Sequence, residues 1–198
     1  MGNGSKRKML AANEEIVRDF VKIAEKKGRV LYDFTNETLT QAIRAEKMGF
    51  SLKEVLDERG IVEAAKEAGF TLVFKRLWYE TLEKAWGTSN KKWLLKAWNE
   101  TGKWFGKLYL SKYPEKALEA LKESFRTLMW DLEEIELTKK GDEVYIQCLS
   151  ASFSDIHTTL FVTFLKGALE ALGFEPSEEE ISKGIINLKF KVGRELNV

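Results

Sequence analysis

Cys148 and His157 are the single cysteine and the single histidine of a 198-residue chain. They could pair as a thiolate and its base, or hold a metal together with Asp155. The surrounding pattern argues for simpler roles. Cys148 alternates with Val144 and Ile146, so it is expected as a small buried hydrophobe. His157 falls in the first turn of a helix starting at Asp155, where an imidazolium is disfavoured. One cysteine excludes an internal disulfide and a cysteine-cluster metal site, and one histidine leaves most histidine-based catalytic sets incomplete. The sequence shows no Gly-rich phosphate loop, no paired catalytic carboxylates and no nucleophile elbow. The expectation is a protein that is not an enzyme and carries no cofactor or metal.

Aromatic residues form the second chemical grouping. Five of the six tryptophans, Trp78, Trp86, Trp93, Trp98 and Trp104, lie within 27 residues, together with Tyr79, Phe105 and Tyr109. Interleaved with lysines, such rings can clamp single-stranded nucleic acid. On packed helices they can line an apolar pocket, for which Trp98, Trp104, Phe105, Tyr109 and Phe125 are the candidates. They can equally be core and interface anchors. Trp93, Trp98, Phe105 and Tyr109 cannot share one helical face.

Charge is uneven behind a total of +1. Residues 75–112 hold 9 basic and 3 acidic groups, net +6, and residues 113–198 hold 10 and 16, net −6. Such polarity fits an anionic partner, or oppositely charged regions that pack together or dimerise. Charged residues make up 32% of the chain and hydrophobic ones 44%, a globular composition without a membrane-spanning run or a secretory signal. Balanced charge with only two glutamines and one cysteine suggests a cytoplasmic protein of a thermophile, archaeal in character.

The elements that must carry these residues read as α+β and mostly helical. The expectation is an N-terminal short strand plus helices, then a C-terminal antiparallel sheet packed against helices. Asn13 caps a first helix that Gly28 ends. Residues 29–34 read as a short strand rich in β-formers. Thr35 or Asn36 caps a second helix ending at Gly49. Ser51 caps a third, with a capping-box spacing to Glu54, running toward Gly69. Residues 71–74 read as another short strand. Helices follow over 77–86 and 90–110, with a further one behind Pro114. Lys139-Lys140-Gly141-Asp142 marks a hairpin between two strands. Asp155 starts a helix closed by Gly173, and 186–192 alternates as a half-buried strand. Glu178-Glu179-Glu180 reads as a solvated face before that strand. No internal repeat is apparent. The best domain boundary lies between Gly69 and Lys75, giving domains 1–74 and 75–198.

Three stretches carry a family resemblance over about residues 75–192. Trp98 to Gly106 contains two glycines four apart, Gly102 and Gly106, which share a helical face and let another backbone approach closely. Glu136 to Val144 forms the hairpin, and Phe164 to Gly173 a small-residue, Leu-rich helix ahead of a strand in which Gly184 and Phe190 fall in register. In this order they resemble the 4-vinyl reductase domain, whose fold is shared with TRAPP vesicle-transport subunits. Leu188 stands where many members of that family have a cysteine. The resemblance implies a domain that dimerises or holds a small apolar ligand. A second segment, 29–68, resembles the ribbon-helix-helix DNA-binding fold. It implies DNA contacts from Arg29, Leu31 and Asp33 on the strand and from the amides around Ser51 and Leu52, aided by the basic arm Lys6, Arg7 and Lys8. Leu31 and Asp33 are poor base readers.

These readings together give a DNA-binding regulator whose C-terminal domain dimerises and senses a small apolar ligand. A TRAPP-like protein-interaction scaffold and a small-molecule carrier stand as alternatives. The expected partners are a second copy of the chain, DNA and a small apolar ligand, with no membrane.

Overall fold

The computed structural model describes residues 8–87 and 89–193. Lys6 and Arg7 of the basic arm lie outside the described residues. The chain forms two compact units, Met1–Gly60 and Ile61–Val198. The division falls within a helix, earlier than the 69–75 stretch that composition suggests.

The first unit begins with α1 (Glu14–Lys26) and α2 (Leu31–Lys47), and α3 (Leu52–Glu67) runs on into the second. The Asn13 side chain accepts from the Glu15 amide at 2.9 Å, capping α1. The capping box at α3 forms in both directions: the Ser51 amide donates to Glu54 Oε2 at 2.6 Å, and the Glu54 amide donates to Ser51 Oγ at 3.2 Å.

The short strand expected at 29–34 does not form. Leu31 opens α2, whose N-cap residue is Val30. Two effects override the β-propensity of this stretch. Gly28, at φ 62°, closes α1 and turns the chain directly into the next helix. Phe34 then stacks on Phe20 at 4.6 Å, a contact that anchors the first turn of α2. Thr35 and Asn36 are therefore interior residues rather than caps, donating to the carbonyls of Leu31 and Tyr32 one turn back. The strand expected at 71–74 is likewise absent. Phe74 instead precedes α4 (Lys75–Trp86) as its N-cap residue.

A repeat that the sequence reading missed links these helices. After α1, α2 and α3 the same cap closes the helix. Arg29, Phe50 and Phe70 donate to the carbonyls of Ala24, Ala45 and Ala65, while Gly28, Gly49 and Gly69 donate to Glu25, Glu46 and Lys66. These paired bonds define the Schellman motif, and all three glycines have positive φ. Each alanine is buried.

The second unit continues with α5 (Lys91–Lys112), a 3-10 turn (Pro114–Lys116), α6 (Ala117–Leu128) and the hairpin β1 (Glu134–Lys140) and β2 (Glu143–Leu149). It ends with α7 (Asp155–Glu170), β3 (Phe174–Ser182) and β4 (Ile185–Val192). The fold is α+β and mostly helical, with one antiparallel sheet in the order β1-β2-β4-β3. Glu178 to Glu180 belong to edge strand β3 rather than to a loop ahead of the last strand. Their carboxylates protect that edge from pairing with another chain, and Glu179 is held by Lys166 of α7 at 2.6 Å. One face of the sheet, carrying Ile135, Leu137, Val144, Ile146, Cys148, Ile186, Leu188 and Phe190, forms the core with α5, α6 and α7.

The expected glycine face is the centre of this core. A Cβ on Gly102 would lie 2.9 Å from the Phe164 carbonyl carbon and closer still to its oxygen. Gly106 faces Ala168, and Gly167 of α7 faces Asn99 of α5 in the same way. Three glycines thus bring the backbones of α5 and α7 into direct contact, a separation no residue with a side chain would permit. Among the described residues, no helix is long and apolar enough to cross a membrane.

Candidate functional site

Ser154 caps α7 by accepting from the His157 amide at 3.2 Å, which fixes His157 one turn into the helix and facing inward. His157 is only 5% exposed, and its imidazole sits among rings. Phe153 lies 4.2 Å away, Tyr79 meets it edge-on at 4.7 Å, and Trp98 edge-on at 5.5 Å. Nδ1 is buried without a hydrogen-bond partner. Burial pushes the His157 pKa down to about 4; nearby Lys75 adds to this and Asp131 opposes it. The ring is therefore neutral at ordinary pH, with an unmet hydrogen-bonding nitrogen. An unpaired buried group of this kind costs about 1–3 kcal/mol.

A polar rim adjoins this enclosure. The Tyr79 hydroxyl donates to Asp131 Oδ2 at 3.1 Å, and Lys75 Nζ pairs with Asp131 Oδ1 at 2.9 Å. Ser150 Oγ donates to the Asp131 carbonyl at 2.6 Å and lies 3.0 Å from Ser152 Oγ. Burial is the main cause that pushes the Tyr79 pKa up to about 12, so the phenol stays a donor. An open groove of about 510 Å³ runs along Lys75, Arg76, Tyr79, Glu80, Glu83 and Ser152. Tyr79 forms both the groove wall and one side of the imidazole enclosure. The groove offers one ring face, Tyr79, beside charged and hydroxyl groups, while His157 and Phe153 stay closed off behind it.

The expected pocket residues do not meet here. Only Trp98 reaches the site. Phe105 and Phe125 are core residues, stacked nearly parallel at 5.8 Å, and Tyr109 packs against Phe105 at 5.1 Å. Trp104 projects from α5 with half its surface exposed. α5 sends Trp98, Trp104, Phe105 and Tyr109 in several directions, as its 3.6-residue period requires, while Phe125 comes from α6. Lys75, Tyr79, Asp131 and Ser152 were not singled out for this site; the first two share α4, and the others come from two further segments. The only sequence signal was the lone histidine among aromatics.

The expected DNA contacts lie in three separate stretches. Lys8 precedes α1 and is exposed. Arg29 pairs with Glu37 and lies 5.4 Å over the Phe34 ring, so its charge is already engaged. Leu31 and Asp33 are exposed in the first turn of α2 rather than on a ribbon. Ser51 and Leu52 do start a helix, but the Ser51 amide is taken by the Glu54 carboxylate, an anion of the chain itself. Cys148 is buried, and burial pushes its thiol up to about 12. Among the described residues, no group of three or more His, Cys, Asp or Glu side chains is placed to hold a metal. Comparison of the chain with protein-family models and with curated proteins gives no match.

Proposed function

We propose that this chain is a non-enzymatic, DNA-binding regulator whose second unit takes a small, largely apolar ligand at the His157 site. The observation that carries the reading is the unpartnered Nδ1 of His157, buried among Tyr79, Trp98 and Phe153. A ligand with one hydrogen-bonding group and an apolar body would satisfy that nitrogen once Tyr79 swings aside. The ligand acts by favouring the displaced position of Tyr79, so its effect is limited by its differential affinity for the two positions. The resemblance to the 4-vinyl reductase domain supports a ligand-holding role for this half. The first unit supplies the DNA contact through its helices, with Lys8, Lys26 and Lys27 as the basic groups in and beside α1. A second copy of the chain covers apolar side chains that α1 and α2 leave exposed, Ile16, Ile23 and Ile43 among them.

The test joins both halves. Full-length protein is purified natively, its organic extract is examined by mass spectrometry, and binding to duplex DNA from upstream of its own gene is followed by fluorescence anisotropy. A stoichiometric small molecule, absent from a His157→Phe variant whose DNA affinity also shifts, supports the reading. Equal DNA affinity with and without that molecule removes the regulatory link. A protein that binds neither a small molecule nor duplex DNA favours a TRAPP-like interaction module. The exposed Leu72 and Phe74 beside α4 are the observation on that side.

A further inference from the structure

The outward face of α5 carries the same five-residue pattern twice: Lys92-Trp93-Leu94-Leu95-Lys96 and Lys103-Trp104-Phe105-Gly106-Lys107. The two copies are 11 residues apart, and 11 residues make almost a whole number of α-helical turns. Corresponding residues therefore fall on one face, about 16 Å apart along the axis. In each copy, the residues after the tryptophan turn inward: Leu94, Phe105 and Gly106 are buried. The tryptophan and its lysines turn outward, with Trp93 65% and Trp104 49% exposed. Two large rings thus stand in one row on solvent, flanked by rows of lysines.

We propose that this face binds single-stranded nucleic acid, with Trp93 and Trp104 stacking on bases and Lys92, Lys96 and Lys107 neutralising phosphates. α5 bears six lysines against one glutamate, Glu100. Lys103 is shared with Glu170 and Lys112 with Glu67, while Lys91 lies over the Trp86 ring. Among the described residues, Lys92, Lys96 and Lys107 enter no ion pair, so their charge is available to a polyanion. Exposed tryptophans select a strand whose bases have open faces, which a duplex does not offer. An anionic lipid surface is the other polyanion that lysines could meet. A membrane-lying helix needs a broad apolar face, and here that face is turned into the core with Leu94 and Phe105. Between the two outward tryptophans stand Lys96 and Glu100. The site lies wholly in the second unit and does not depend on the DNA contact proposed for the first.

The test is anisotropy of a labelled oligothymidylate of about 15 nucleotides with full-length protein, at about 50 and about 200 mM salt. The wild type is expected to bind the single strand more tightly than a duplex of equal length. Changing Trp93→Ala and Trp104→Ala together weakens binding at least about tenfold. Changing Lys96→Gln and Lys107→Gln together flattens the slope of log affinity against log salt by about 1.4, at about 0.7 per phosphate contact. All four side chains are on the surface, and unchanged circular-dichroism melts verify that the variants fold. No binding to the single strand, or tryptophan variants that bind as the wild type does, overturns the proposal. So does competition by phosphatidylglycerol vesicles that the double tryptophan variant also abolishes. Duplex binding that survives the α5 changes, together with single-strand binding that those changes leave unaltered, leaves the regulator reading standing while this one falls.

Discussion

Replacing Gly102 with alanine tests whether the α5–α7 contact holds the second unit together. The added Cβ would lie 2.9 Å from the Phe164 carbonyl carbon and 3.1 Å from the Ala168 nitrogen. Comfortable separations for such atoms are about 3.5–4.0 Å, so the helices must part by roughly an ångström. The neighbours are backbone and cannot rotate away. Overpacking of this kind costs about 1–3 kcal/mol, and more where backbone moves. Alanine offsets about 1 kcal/mol through its helix propensity. The expected net loss is about 2 kcal/mol, which lowers the melting temperature by about 4–8 °C. Gly60 provides the internal control. It is helical, and a Cβ there meets nothing within 4 Å, so Gly60→Ala is expected to stabilise by up to about 1 kcal/mol. Thermal and urea melts followed by far-ultraviolet circular dichroism compare the three proteins. A Gly102→Ala protein as stable as the wild type would refute the argument, because propensity would then outweigh the close approach.

Two further expectations follow from buried titratable groups. His157 stays neutral when folded down to a pKa of about 4, whereas its unfolded value is about 6.5. Above pH 6.5 neither state takes the proton; as pH falls from 6.5 to 4 only the unfolded chain does, so folded stability drops through that window, by roughly 3 kcal/mol in all. The wild type minus His157→Phe difference isolates this from the carboxylates, and parallel pH profiles of the two proteins would rule it out. Cys148, with its thiol pushed up to about 12, is expected to resist a disulfide reagent at mildly alkaline pH in the native state and to react as a single thiol on unfolding. Rapid stoichiometric labelling of folded protein would contradict its placement under the sheet.

What could be read from the sequence was what is decided locally. Asn13 and the Ser51–Glu54 pair announce helix starts because their hydrogen bonds span only two or three residues. Gly102 and Gly106 announced a close approach by their spacing alone. The partner glycine, Gly167, sits in a helix of its own, and nothing in the sequence pairs one helix with another. The stretch 29–34 misled because its β-formers are used to begin a helix over Phe20. Strand β3 was hidden for the opposite reason. Glu178 to Glu180 have poor strand propensity and are held by pairing with β4 and by lysines, Lys189 to Glu178 at 3.0 Å among them. The candidate site shows the same limit. His157 stood out by being alone, but Lys75 and Tyr79, one turn apart on α4, and Asp131, beyond α6, reach it from different parts of the chain, and no periodicity ties α4 to Asp131 or to His157.

The strand order has a consequence for biosynthesis. β2 pairs on one side with β1, its neighbour in sequence, but on the other with β4, where Val144 meets Phe190 and Ile146 meets Leu188. A nascent chain can close the hairpin early, yet one edge of β2 stays open until residues 185–192 have emerged. Ile186, Leu188 and Phe190 are almost wholly enclosed in the finished unit, so a ribosome still translating β3 holds a half-built core with a bare strand beside it. The helices of the first unit, each ended by its own glycine cap, have no such wait. Synthesis thus divides into an early part that forms as it appears and a late part exposed to wrong pairing until β4 arrives, the interval in which a chaperone would matter most.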